Sequence, residues 1–278
     1  MFCVSLLHDR SRDQFRKISN KIMRKIISIA NQKGGVGKTT TAINLAASLA
    51  TAEMRTLLID CDSQGNASTG VGLEREAIAE RNIYHSLVGR RPLAEVIHRT
   101  QLPFLDIAPA DQHLIGAEIE FVTMDNREKI LRRLLYDLQE EYRYIIIDCP
   151  PSLGFLTINA LAAADSLIVP LQCEYFAMEG LGNLLNTVRL VRQSFNPDLN
   201  LGGILLTMFD ARNLLSHRVS EDVRQHFGGR VFDTVIPRNV RLSECPSHGL
   251  PIILYDIRSR GAAAYLELAR EIMQNGRL

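Results

Sequence analysis

The stretch NQKGGVGKTTT, residues 31–41, decides how the rest of the chain is read. It follows an apolar run, KIISIA (25–30), and leads into a helix-period segment, TTAINLAASLA (40–50). Strand, glycine-rich loop and helix in that order are the context that a phosphate-binding loop requires. Glycines at 34, 35 and 37 let backbone N–H groups turn inward around a phosphate, and the helix amino terminus adds its dipole. Lys38 then reaches the β- and γ-phosphates, and the Thr39 hydroxyl is placed to ligate Mg2+. Two features depart from the common form G-x-x-x-x-G-K-[S/T]. Its first glycine should stand at position 32, which holds Gln32, and an extra lysine, Lys33, opens the loop. The chain has only six lysines against 26 arginines, so two in one loop call for an explanation.

Outward from this loop, short apolar runs alternate with helical patterns. The runs are TLLID (56–60), FLDIAPA (104–110), YIIID (144–148), SLIVPL (166–171), LGGILLTMF (201–209) and TVIP (234–237). Between them lie helix-period stretches at 127–142, 155–164, 179–195 and 262–273. Near-continuous apolar strands separated by helices imply a parallel sheet covered on both faces. With right-handed crossovers this gives an α/β, doubly wound, mainly parallel sheet flanked by helices. Residues 73–128 read as a mixed insertion between TLLID and YIIID. Residues 23–278 are expected to form one domain. Residues 1–22 read as an N-terminal extension, disordered or not part of the native start, with Met23 just ahead of the first strand.

The 278 residues are 46% hydrophobic and 23% charged, with a net charge of +1. That balance supplies no global field toward nucleic acid or anionic lipid, so any such binding must come from a local patch. Five scattered cysteines without a C-x-x-C pair read as small buried thiols of a reduced, cytoplasmic protein. No apolar run approaches the roughly 18 residues that span a bilayer.

Two further acidic positions fall at strand ends, where ligands bind in open α/β sheets. TLLIDCDSQGNAST (56–69) carries Asp60 and Asp62, where a carboxylate can hold an attacking water or organise Mg2+; on chemistry alone that role and a plain loop-and-turn role for both are even. YIIIDCPPSLG (144–154) ends its strand at Asp148, suited to a Mg2+–water contact once a phosphate loop stands beside it. Lys33 lies where its side chain leaves its own phosphate cradle. An ammonium there needs an anion, and another subunit's nucleotide is the obvious one.

KGGVGKTT resembles the deviant phosphate loop of the ParA/MinD group of P-loop ATPases. The likeness covers roughly 24–276 and is strongest to the chromosomal, Soj-like ParA branch. The segments that carry it include DCPPSLGFLTINAL (148–161), QCEYFAMEGL (172–181), LLTMFDAR (205–212) and the stretch from Thr234 to Ala269. The resemblance implies that Lys33 reaches across a face-to-face dimer, and that the loop begins with this lysine, so Gln32 is no defect. It implies nucleotide contacts from Lys33, Gly34, Gly35, Val36, Gly37, Lys38, Thr39 and Thr40, with Pro237 and Asn239 near the adenine base. It implies a catalytic set of Lys33, Lys38 and Asp62, with Asp62 positioning water, and metal contacts from Thr39, Asp62 and Asp148. The cofactors it implies are ATP and Mg2+. Its partners are a second copy of the chain, non-specific DNA held through Arg212 and Arg241, and a ParB-like stimulator of hydrolysis, in the cytoplasm on the nucleoid. The alternative is a positioning ATPase of the MinD type, acting on a membrane or a protein cargo. That type needs a basic amphipathic C-terminal helix, whereas this chain ends EIMQNGRL.

Overall fold

The computed structural model describes residues 24–138, 141–174 and 177–275, so the extension expected over 1–22 lies outside the described residues. Seven strands form one sheet: β1 (Lys25–Ile29), β2 (Thr56–Asp60), β3 (His98–Arg99), β4 (Leu105–Ala108), β5 (Tyr144–Asp148), β6 (Ser166–Gln172) and β7 (Asn200–Thr207). Their order is β3-β4-β2-β5-β1-β6-β7, parallel throughout except for the antiparallel edge pair β3–β4. Strand β1 sits between β5 and β6; its own crossover runs to β2 on one side, while its neighbour β6 continues to β7 on the other. This is the topological switch point, and the crevice outside its carboxyl end is where such sheets take ligands.

The sheet separates two apolar layers because strand side chains alternate in direction. Ile27, Ile29, Leu58, Ile146 and Ile168 pack on one side with helix α1 (Lys38–Thr51) and the C-terminal helix. Leu57, Ile59, Ile145, Ile147, Leu167 and Val169 face the other side. That layer is covered by α2 (Leu114–Phe121), α3 (Ile130–Asp137), α4 (Phe155–Ala163) and α5 (Ala177–Ser194). Helix α6 (Leu214–Phe227) follows β7, and α7 (Arg260–Asn275) closes the described chain.

Three expectations change. TVIP does not form a strand; it runs beside the end of β7 with one bridge, Phe209 to Pro237, whose bonds are made by the flanking Ile236 carbonyl and Arg238 N–H. The helix expected over 127–142 is a 3-10 turn at Arg127–Lys129 followed by α3, and Leu138 turns extended at its end. The 73–128 segment is not wholly an insertion: β4 pairs in parallel with β2 inside the main sheet.

Candidate active site at the carboxyl edge of the sheet

The loop after β1 is held open by bonds to its own surroundings. Asn31 donates from Nδ2 to the Pro170 carbonyl at 2.7 Å, and its Oδ1 accepts from Lys33 N at 3.1 Å. The Thr207 hydroxyl at the end of β7 donates to the Val36 carbonyl at 2.8 Å. Gly35 and Gly37 have φ of 74° and 88°, the left-handed region that a side chain disfavours. Gly37 precedes α1 without any side-chain cap, and the first turn carries no acidic residue. The first N–H groups of α1 are therefore uncapped donors, as an anion site requires.

Three charged side chains converge behind this loop. Lys38 is 7% exposed; its Nζ donates to the Lys33 carbonyl at 3.1 Å, and burial lowers its pKa. Asp148, in register with Asp60 and Ile29, is completely buried, and neither carboxylate oxygen has a hydrogen-bond partner. The Thr39 hydroxyl lies near enough to favour its charge slightly without making a well-formed bond. Burial first, then the Asp60 carboxyl, pushes Asp148 well above the usual carboxylate range. Asp62 is 8% exposed and lines a cleft of about 540 Å³ together with Gly34, Lys38 and Thr39.

The two aspartates of this turn have different surroundings. Asp60 is fully buried and accepts three hydrogen bonds, from Asp62 N, Ser68 N and the Ser68 hydroxyl, at 3.1, 2.9 and 2.8 Å. Burial nonetheless pushes it up to about 6. Ser68 in turn accepts from Ala110 N at 2.9 Å, so Asp60 anchors the whole 60–69 turn to the β4 edge. Gly65 is needed there twice over: its φ is 64°, and a Cβ would stand 2.7 Å from the Ala110 carbonyl. Asp60 is an internal anchor; Asp62 faces the cleft.

A second cavity, of about 380 Å³, adjoins the first and shares Gly37, Thr40 and Met208 with it. Pro237 and Asn239 line it, and the Asn239 Oδ1 is buried without a partner. Sequence reasoning did not find Met208, which has a φ of 50° at the junction of the two cavities, or Thr207 beside it. Nor did it find Glu174, whose Oε2 holds Lys33 Nζ at 2.6 Å. Only the Met208 position carried even an indirect signal, at the carboxyl end of an apolar run.

The arginines expected to meet DNA lie elsewhere and are already paired. Arg212, 90% exposed at its side chain, makes a two-pronged bond to Asp210, with Nε to Oδ1 at 3.1 Å and Nη2 to Oδ2 at 3.0 Å. That contact holds Asp210 down at about 2. Arg241 bonds Glu244 at 2.9 Å and lies 3.6 Å from Asp256. Cys61, Cys149, Cys173 and Cys245 are buried and free, and burial raises all four thiols, so they are small core residues.

The residues present fit a nucleotide with a hard divalent cation. The buried, unpartnered Asp148 beside Thr39 offers oxygen donors, which suit Mg2+. Among the described residues no three His, Cys, Asp or Glu side chains form a metal cage. That matches a cation held by one or two carboxylates plus ligand phosphates.

A family described as an AAA domain matches residues 24–201. The chromosome partitioning protein ParA of Myxococcus xanthus is 60% identical over 250 residues, covering 90% of this chain and 88% of that protein. The sporulation initiation inhibitor protein Soj of Bacillus subtilis is 57% identical over 254 residues, 91% of this chain and all of its own. Among solved structures, a cobyrinic acid a,c-diamide synthase from Mycobacterium smegmatis with bound ADP and magnesium is 36% identical, with a TM-score of 0.81 over 92% of this chain and 96% of that one. The septum site-determining protein MinD of Pyrococcus horikoshii, complexed with Mg-ADP, is 25% identical, with a TM-score of 0.75 over 91% and 98% of the two chains. The phosphate loop with its extra lysine, the strand-end aspartates and these near full-length identities agree: the chain belongs to the ParA/Soj family of chromosome-partitioning ATPases.

Proposed function

We propose that the chain is an ATP-switched DNA-partitioning protein: with ATP it dimerises and binds DNA without sequence preference, and hydrolysis stimulated by a ParB-like partner releases it. Its place of action is then the nucleoid, in the cytoplasm. The observation that carries the nucleotide part is the buried Asp148 with two unpartnered oxygens, beside Thr39 and Lys38 at the uncapped start of α1. Such an uncompensated group is costly unless a ligand completes it.

ATP supplies the phosphoryl group and Mg2+ its counter-charge. Lys38 gives up the Lys33 carbonyl to bind the β- and γ-phosphates. The backbone N–H groups of Gly34, Gly35, Val36, Gly37, Thr39 and Thr40 cradle them. Thr39, Asp62 and Asp148 would hold the cation through their oxygens. Asp62, facing the cleft, orients the attacking water. Pro237 and the unpartnered Asn239 Oδ1 offer the second cavity to the base. Lys33, at the mouth of the loop, answers a second subunit's phosphates.

DNA is favoured over a membrane by the C-terminal helix. In α7 the apolar face, Ala262, Tyr265, Leu268, Ala269 and Ile272, is buried in the core, which leaves it no apolar face for lipid. Among the described residues no helix is long and apolar enough to cross a membrane. The test is DNA binding with ATP, with ADP and without nucleotide, with and without a ParB-like partner. Binding only with ATP, relieved by the partner, is expected. Equal binding without nucleotide refutes the switch.

A further inference from the structure

Arg212 and Arg241 both commit their guanidinium groups to carboxylates. Among the other arginines that do not, three share one place in the fold. Arg189 and Arg192 on α5, and Arg230 after the Gly228–Gly229 turn, line one groove of about 450 Å³ over Leu185, Pro197 and Leu201. All three are exposed, and none makes an ion pair or hydrogen bond with a described residue. Among the described residues no acidic one lines the groove.

The backbone holds this cluster in place. Helix α5 buries Leu181, Leu184, Val188 and Val191 in the core, which turns Arg189 and Arg192, three residues apart, to its outer side. Arg230 is fixed by its neighbours: Val231 N donates to Gly228 O at 3.1 Å, Val231 bridges Ile204 of β7, and Phe232 N bonds Ile204 O at 3.0 Å. The groove opens at the amino end of β7, beside Pro197 and Leu201. The nucleotide cavities meet Thr207 and Met208 past its carboxyl end. At ~3.3 Å per residue the two are about 20 Å apart, so the groove is not part of the phosphate cleft.

Three like charges without a counter-charge in one groove repel each other, and the repulsion is relieved when an anion fills it. Guanidinium groups grip phosphate oxygens in pairs. One DNA strand carries a phosphate every ~3.4 Å along the axis, so arginines about one helical turn (~5.4 Å) apart can each meet a phosphate of the same strand. A lipid surface is disfavoured, because α5 buries its apolar face in the core. We infer that this groove is a contact for the phosphate backbone of duplex DNA, additional to Arg212 and Arg241. The inference rests on the DNA-binding reading above.

The test is the full chain carrying R189A, R192A and R230A together, titrated with an unrelated-sequence duplex in a slowly hydrolysed ATP analogue over a series of salt concentrations. The parent is expected to bind, and the triple variant to bind at least about tenfold more weakly, its salt slope flattened by roughly 0.9 for each phosphate no longer neutralised. Arginine-to-lysine replacement at the same three positions should restore most of the slope, with ATP-dependent dimerisation and basal ATPase unchanged throughout. A parent that binds while the triple variant matches it in affinity and slope overturns the groove alone. A parent that binds no duplex in any nucleotide state overturns the DNA reading and the groove together. Loss of binding to vesicles containing phosphatidylglycerol, with DNA binding intact, overturns the groove in favour of a lipid surface.

Discussion

Lys33 Nζ lies 2.6 Å from Glu174 Oε2, an ion pair within one subunit that joins the phosphate loop to the residue two places after β6. Glu174 is itself oriented by Gln172, whose Nε2 donates to Oε1 at 2.5 Å. The lysine therefore has an anionic partner before any second subunit arrives. Both side chains are about half exposed, at 40% and 46%, so the pair is a weak latch, on the order of 0–1 kcal/mol. A phosphate of a second subunit can displace it at little cost. Lys33→Ala should keep measurable ATP affinity yet lose ATP-dependent dimerisation and hydrolysis, read by sedimentation with a slowly hydrolysed analogue. Glu174→Gln should lower the ATP concentration needed for dimerisation by up to about fivefold, the equivalent of that pair. An unchanged or raised requirement would refute the latch.

Asp60 and Asp62 should separate stability from turnover. Asp60 accepts three buried hydrogen bonds, so Asp60→Ala strands Ser68 and the 60–69 turn, at a cost of about 2–4 kcal/mol. Its main effect should be a lower thermal midpoint. Asp62→Ala removes a cleft-facing carboxylate that accepts one turn bond, from Gln64 N at 3.0 Å. It should keep nucleotide binding and dimerisation while steady-state hydrolysis falls on the order of a hundredfold or more. Unchanged ATPase in that variant would remove Asp62 from the chemistry.

How much of this was legible in the sequence depends on the range of the interaction. KIISIA, TLLID and YIIID read as strands because a two-sided sheet demands unbroken apolar runs, and they became β1, β2 and β5. The phosphate loop was legible because its glycines and its helix start are neighbours in sequence. TVIP misled because an apolar tetrapeptide does not reveal that its pairing is limited to a single bridge past the end of β7. The anchoring role of Asp60 rests on Ser68 and Ala110, and nothing local signals that pairing. Lys33 and Glu174 are 141 residues apart, so only the β1–β6 neighbourhood brings them together.

Asp148 should trade stability for ligand. With two buried, unpartnered oxygens it burdens the free protein, and Asp148→Asn removes the charge while keeping the shape. The variant's thermal midpoint in EDTA should rise, corresponding to about 1–3 kcal/mol. The parent should gain stability from Mg-ADP, and the variant should gain little from the added Mg2+. A variant less stable in EDTA, or one that responds to Mg2+ like the parent, would remove the cation role from Asp148.

The pairing of Arg212 with Asp210 sets what DNA would have to displace if, as proposed, it uses that arginine. The guanidinium is almost fully exposed, yet both its Nε and its Nη2 are held by one carboxylate. A DNA phosphate competes for the same two donors, and Asp210 also repels it. With a net charge of +1 there is no global field to override this, so the local exchange sets the affinity. The proposed dimer would present two such sites at once, raising avidity without new contacts. Arg212→Ala should therefore weaken binding about equally on unrelated duplexes and flatten the salt dependence by roughly 0.9 for each phosphate left without its arginine. Asp210→Asn should do the reverse, removing the competitor and its charge, and tighten binding by a few fold at low salt. ATP-dependent dimerisation should survive both changes. Tightening in Asp210→Asn that vanishes when Arg212→Ala is added would establish that the two act on one phosphate contact. If Asp210→Asn leaves DNA affinity unchanged while Arg212→Ala lowers it, the carboxylate does not compete. If Arg212→Ala abolishes dimerisation, the arginine belongs to the subunit interface instead.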